Sequence, residues 1–170
     1  SKSEGLVADD EMNVLYVGEE ENCIWKYSTD PKTGNRREKL EMSDSKRNNN
    51  IAYDIEGLAI YYMPDGEGYL IASSQGNFSY AVFKRKSGEY LTSFSVVDGI
   101  VDGVQETDGL DVLNLSLNDQ FDKGILIVQD GFNYDNDKKY SQNFKFISWQ
   151  DIVNSSNDGL KINCTYSDWK

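Results

Sequence analysis

Three acidic-Gly-Leu triplets punctuate this chain: Glu4-Gly5-Leu6, Glu56-Gly57-Leu58 and Asp108-Gly109-Leu110. They recur at equal spacings of 52 residues, from 4 to 56 and from 56 to 108. A fixed period of this length is the signature of a repeat architecture, in which each copy is one supersecondary unit that needs its neighbours to cover its apolar faces.

The residues after each triplet are also alike. A short first strand continues as Leu6-Val7-Ala8, Leu58-Ala59-Ile60-Tyr61-Tyr62 and Leu110-Asp111-Val112-Leu113. After a turn rich in Asp, Asn or Gly comes a second strand: Val14 to Val17, Tyr69 to Ala72 and Gly124 to Val128. A polar stretch and an aromatic third strand come next: Ile24 to Tyr27, Tyr80 to Phe83 and Phe144 to Ile147. Fourth strands are readable at Tyr90 to Val97 and, more weakly, at Arg37 to Leu40. Four strands in about fifty residues is the size of a propeller blade. The expectation is therefore all-β: about three blades of four-stranded antiparallel sheet, half of a six-bladed ring. Residues 1–170 form one partial domain, with units near 4–55, 56–107 and 108–170. An ordinary β-sandwich does not account for register agreement across three units.

Composition narrows the function. At 38% hydrophobic residues the chain can bury a core, and its 11 tyrosines, 14 glycines and two prolines favour strands and turns. The net charge of −12 argues against nucleic acid and anionic membranes, which need a basic surface. No histidine is present, which removes Ser-His-Asp and Cys-His catalysis, phosphohistidine chemistry and imidazole zinc sites. Cys23 and Cys164 suit either one disulfide of a secreted protein or two buried thiols. The chain opens on Ser1-Lys2-Ser3-Glu4 without a signal peptide and reads as a processed or excised segment. Lys84-Arg85-Lys86 reads as a solvated strand end, and Asp135-Asn136-Asp137 as a loop without the later residues of an EF-hand.

In a propeller the first strand of each blade lines the central channel. Glu4, Glu56 and Asp108 open those strands, with Asp54 and Asp102 shortly before two of them. Glu20, Gln75 and Asp130 come after the second strands. All would converge at one end of the channel. Converging carboxylates are costly unless a cation balances them. Calcium suits the set, because it takes six to eight oxygens from carboxylates, amides, carbonyls and water. Gln75 and Asn133 supply neutral oxygens.

The runs Gly5 to Glu11, Asp54-Ile55-Glu56-Gly57-Leu58, Ala72 to Asn77, Thr107 to Val112, Gln129-Asp130-Gly131 and Gln142-Asn143-Phe144-Lys145 resemble the β-propeller phytases, collinearly and over nearly the whole chain. The resemblance implies hydrolysis of phytate (myo-inositol hexakisphosphate) by a six-bladed, calcium-dependent enzyme, secreted or periplasmic. Carried over position by position, it implies Glu4, Glu20, Asp54, Glu56, Asp102, Asp108 and Asp130 as calcium-binding acids, with Gln75 and Asn133 as further ligands. Phe132 stands where some members carry an acid, and the segment between Asp98 and Asp108 is one residue shorter. The resemblance covers the C-terminal half only. The N-terminal blades, a missing partner here, supply most of the Lys, Arg and Tyr residues that hold substrate phosphates. No catalytic or substrate-binding residue is assigned within this chain. The rival expectation is a non-catalytic calcium-binding half-propeller, serving interaction or structure.

Overall fold

The computed structural model describes residues 2–156 and 159–164. The first sheet runs β1 (Ser3–Asp9), β2 (Val14–Glu19), β3 (Cys23–Ser28) and β4 (Arg37–Lys39) in spatial order, every neighbour antiparallel. The second repeats that meander with β5 (Ile55–Tyr62), β6 (Gly68–Ser74), β7 (Ser79–Lys84) and β8 (Tyr90–Phe94). The third has β9 (Leu110–Leu113) and β10 (Ile125–Asp130). A small hairpin of β11 (Tyr134–Asp135) and β12 (Lys138–Lys139) precedes β13 (Asn143–Ser148), which pairs with β10. An α-helix, α1 (Trp149–Ser155), comes directly after. No helix among the described residues is long and apolar enough to cross a membrane.

Strand alternation builds two cores. Successive side chains of a strand point to opposite faces. On β5, Leu58 and Ile60 face the first sheet, while Ala59 and Tyr61 face the third. On β6, Leu70 and Ala72 take the first side, and Tyr69 and Ile71 the second. The second sheet is thus buried on both faces, and every residue of β6 is buried. Trp149 of α1 closes the second core, stacked on Tyr61 at 4.3 Å between ring centroids. Truncating one such residue, Leu70→Ala for example, is expected to cost about 2–5 kcal/mol.

The first strands stand side by side, β1 against β5 and β5 against β9. The triplet glycines permit this approach. A Cβ on Gly5 would collide with the carbonyl oxygen of Glu56, and one on Gly57 with the carbonyl oxygen of Asp108. The Gly57 N–H donates to that Asp108 carbonyl at 2.9 Å. Gly109, third in the series, faces open space.

Three expectations change. Lys84 and Lys86 are exposed, but Arg85 between them is fully buried. Arg85 lies two residues beyond Phe83 and so shares its inward face. There its guanidinium meets Asp9 at the end of β1, with Nε to Oδ2 and Nη2 to Oδ1 both 2.6 Å, and Glu11 at 2.7 Å. The Asp135-Asn136-Asp137 stretch is not a plain loop, since Asp135 ends β11 and pairs with Lys138 of β12 in the small hairpin. The third sheet has no fourth strand among the described residues, so β13 is an open edge carrying Phe144 and Phe146 outward. Cys23 and Cys164 are both free thiols, the first buried and the second half-buried.

Candidate metal centre

The acid of each triplet sits on a strand irregularity in the first two sheets. In β1, Ser3 pairs with Glu19 and Leu6 with Val17, so Glu4 and Gly5 together oppose Gly18. In β5, Ile55 pairs with Ser74 and Leu58 with Ala72, so Glu56 and Gly57 together oppose Ser73. Two residues against one is a β-bulge, which bends the strand and re-aims a side chain. The repeated acid-Gly pair is therefore a repeated bulge, placed where first strands face one another.

Glu20, in the turn after β2, Asp54, just before β5, and Glu56, on the β5 bulge, come together there. Each offers a carboxylate oxygen, and the three oxygens lie within 4.8 Å of one another. Backbone bonds fix the segments that carry them. The Ile55 N–H donates to the Glu20 carbonyl at 3.1 Å, and the Gln75 N–H to the Asp54 carbonyl at 2.8 Å. Asp108 is exposed beside the group, its Oδ1 accepting from the Gln75 side-chain amide at 2.8 Å. Glu4 is exposed on β1.

Charge in this group is poorly balanced. Lys2 reaches Glu20 at 3.4 Å from an exposed position. Among the described residues, neither Asp54 nor Glu56 has an ion-pair partner. Burial, and then the negative charges of Asp108, Glu20, Glu4 and Asp54, push Glu56 up to about 7. Burial and the charges of Glu20 and Glu21 also raise Asp54. The donors are oxygens without imidazole or thiolate, the set that a hard divalent cation takes. These residues fit such an ion.

Asp102 and Asp130 form a second group, organised around Lys145. The Lys145 ammonium donates to Asp102 Oδ1 and lies 3.3 Å from Asp130 Oδ2. The Tyr134 N–H donates to Asp102 Oδ2 at 2.6 Å, and the Gln105 N–H to Asp130 Oδ1 at 3.1 Å. Asn133 lies nearby in sequence, its side-chain amide donating to the Ser141 carbonyl at 2.8 Å. Sequence reasoning passed over Lys145 and misread Arg85 as part of a solvated strand end. The signal for Lys145 was its place between Phe144 and Phe146. On an edge strand such a pattern reads as phenylalanine in and lysine out, and here it is the reverse.

The fold and this geometry define a class: tandem antiparallel sheets with side-by-side first strands and a cluster of carboxylates gathered around the bulge of one of them. The sequence profile of the phytase family matches residues 1–167, and the chain belongs to that family. It is 46% identical over 155 residues to a protein named 3-phytase from Bacillus subtilis (strain 168). That alignment covers 90% of this chain and 40% of the relative, so the chain spans well under half the relative's length.

Proposed function

We propose that this chain contributes the calcium-binding half of a phytase that hydrolyses the phosphomonoesters of phytate. The convergence of Glu20, Asp54 and Glu56 in a member of the phytase family carries the reading. Glu4, Asp108 and Gln75 border the group and complete the proposed ligand set. Bound calcium would supply the positive charge that phosphate oxygens need. The chain's own residues hold that charge in place, Glu56 from a partly desolvated bulge and Asp54 and Glu20 from backbone-tied turns.

The three sheets are proposed as consecutive blades of a propeller, with residues 1–170 as one partial domain. Their similar meanders and side-by-side first strands support this. The partner is a further set of such sheets, in the same polypeptide or another chain. Among the described residues, Gly109 is open where Gly5 and Gly57 are covered, β13 has no neighbour on its outer edge, and Phe144 and Phe146 are 66% and 60% exposed. An apolar edge of this kind asks for cover. Phosphates also need basic residues to grip them, and Lys2 is the one base ion-paired at the first acidic group among the described residues. The competing reading, a calcium-binding module without catalysis, draws on that same scarcity.

Phosphate release from phytate distinguishes the two. It is measured on the 170-residue chain alone and on the longer polypeptide, each in calcium and in chelator. The proposal expects calcium-dependent release from the longer protein and little from the chain alone. No calcium-dependent release from either would leave the non-catalytic reading standing.

A further inference from the structure

We infer that the ammonium of Lys145 is the built-in cation of the Asp102–Asp130 pair, so that this second acidic group takes no divalent ion while the lysine is present. The inference rests on the calcium reading of the first group for its contrast. The first group is three carboxylates with one exposed lysine at its margin. The second is two carboxylates around a lysine that is only 8% exposed, with Asp130 fully buried.

Three of the four carboxylate oxygens of the second group accept a hydrogen bond, and the fourth, Asp130 Oδ2, has only the ammonium as an ion-pair neighbour. Asp102 Oδ1 takes the ammonium, and Asp102 Oδ2 takes the Tyr134 N–H. Asp130 Oδ1 accepts from the Gln105 and Phe132 N–H groups at 3.1 and 3.3 Å, and Asp130 Oδ2 faces the ammonium at 3.3 Å. That last contact is an ion pair without a hydrogen bond. A divalent ion of calcium's size wants six to eight oxygens, and here the oxygens point at N–H donors and a fixed positive charge that would repel it. Asn133 turns its amide to Ser141, and the neighbouring Phe132 offers a ring, 4.7 Å from the Lys139 ammonium, in place of a carboxylate.

Lys145 also explains how the loop before Asp108 is held. It stands on β13 opposite Val128 of β10 and reaches Asp102, 43 residues away, in the connection between β8 and β9. One side chain thereby ties that connection to the end of β10. Removing the ammonium alone would expose the oxygens of Asp102 and Asp130. Asn143 Oδ1 would add to them, for it is buried without a hydrogen bond on the residue paired with Asp130. That is an oxygen set a divalent cation can use.

Calcium titration calorimetry on the chelator-stripped chain, with melting temperature as a second readout, tests this. Lys145→Met is expected to bind one calcium more than the unsubstituted chain, and to recover in calcium the thermal stability it loses in chelator. Lys145→Arg is expected to keep the unsubstituted stoichiometry. With Lys145 intact, Asp102→Asn is expected to leave the stoichiometry unchanged, which decides the matter even if Lys145→Met does not fold. An unchanged stoichiometry in folded Lys145→Met, a gain in Lys145→Arg, or a calcium lost in Asp102→Asn overturns the inference. A chain that binds no calcium at all defeats the reading of the first group, yet the gain in Lys145→Met still reports on the second.

Discussion

Arg85 and Asp9, 76 residues apart, form a two-pronged ion pair in which both side chains are completely buried. The pair joins the end of β7 to the end of β1, and so locks the second sheet to the first. The Tyr62 ring lies 4.5 Å from the guanidinium, and the Tyr16 hydroxyl donates to the Arg85 carbonyl at 3.2 Å. Removing one partner strands the other charge away from water. Arg85→Met is therefore expected to destabilise the chain by about 3–5 kcal/mol. Arg85→Lys is expected to be nearly as harmful, because a point charge cannot reproduce the fork. Urea unfolding monitored by tryptophan fluorescence measures both.

The triplet glycines allow a graded test of sheet-to-sheet approach. Gly57→Ala puts a methyl group against the backbone of Asp108, Gly109 and Leu110 and is expected to cost about 1–3 kcal/mol. Gly109→Ala meets nothing among the described residues and is expected to be close to neutral. In a longer polypeptide with another sheet beside β9, the same Gly109→Ala should become costly. Thermal unfolding of the two variants in both contexts gives the comparison.

Asp44 predicts a dependence on acid. Hydrogen bonds from Lys39, from Tyr53 and from the Lys46 N–H hold its carboxyl well below the usual carboxylate range. A folded-state value depressed below the unfolded one stabilises the fold at pH above the unfolded value. That contribution is lost as pH falls toward the folded value. Asp44→Asn is expected to cost about 1–3 kcal/mol at pH 7, with the difference from the unsubstituted chain shrinking steadily below pH about 4. Chemical unfolding at a series of acid pH values reads the trend, and a gap that widens in acid would reverse the assignment.

The cysteines make a chemical prediction. Burial pushes the Cys23 thiol up to about 11 and also raises Cys164. Because the thiolate is the reactive form, Cys23 should resist alkylation of the folded chain near neutral pH. Mass spectrometry after alkylation should show label on Cys164 before Cys23. Both should be modified in denaturant without reductant, since the two are unbridged.

Much of this was legible in the sequence because the repeat is written in residues with one physical use. In the first two repeats the acid-Gly pair that marks the period is a bulge beside a close backbone approach, and Gly5 and Gly57 show why no larger residue serves. The aromatic third strands and the turns between strands came from alternation and turn chemistry. Arg85 was misread because its face is set by its register with Phe83, while its partner Asp9 comes from another repeat. Lys145 was passed over for a similar reason, its acids lying on a distant connection and a neighbouring strand. The nine candidate ligands were read as one set, since each stands near a first or second strand. Side-chain partners divide them into a cluster on Glu20, Asp54 and Glu56 and a pair on Lys145, a distinction that spacing does not encode.

The central claim is that Glu20, Asp54 and Glu56 hold calcium, and the melting temperature of the chelator-stripped chain during calcium titration tests it most directly. At a calcium concentration about 100 times the dissociation constant, binding is expected to add about 2.7 kcal/mol of stability. The double variant Asp54→Asn with Glu56→Gln should melt no lower than the unsubstituted chain in chelator, because the acids no longer repel, and should gain nothing from calcium. No rise in the unsubstituted chain, or an equal rise in the double variant, would contradict the account.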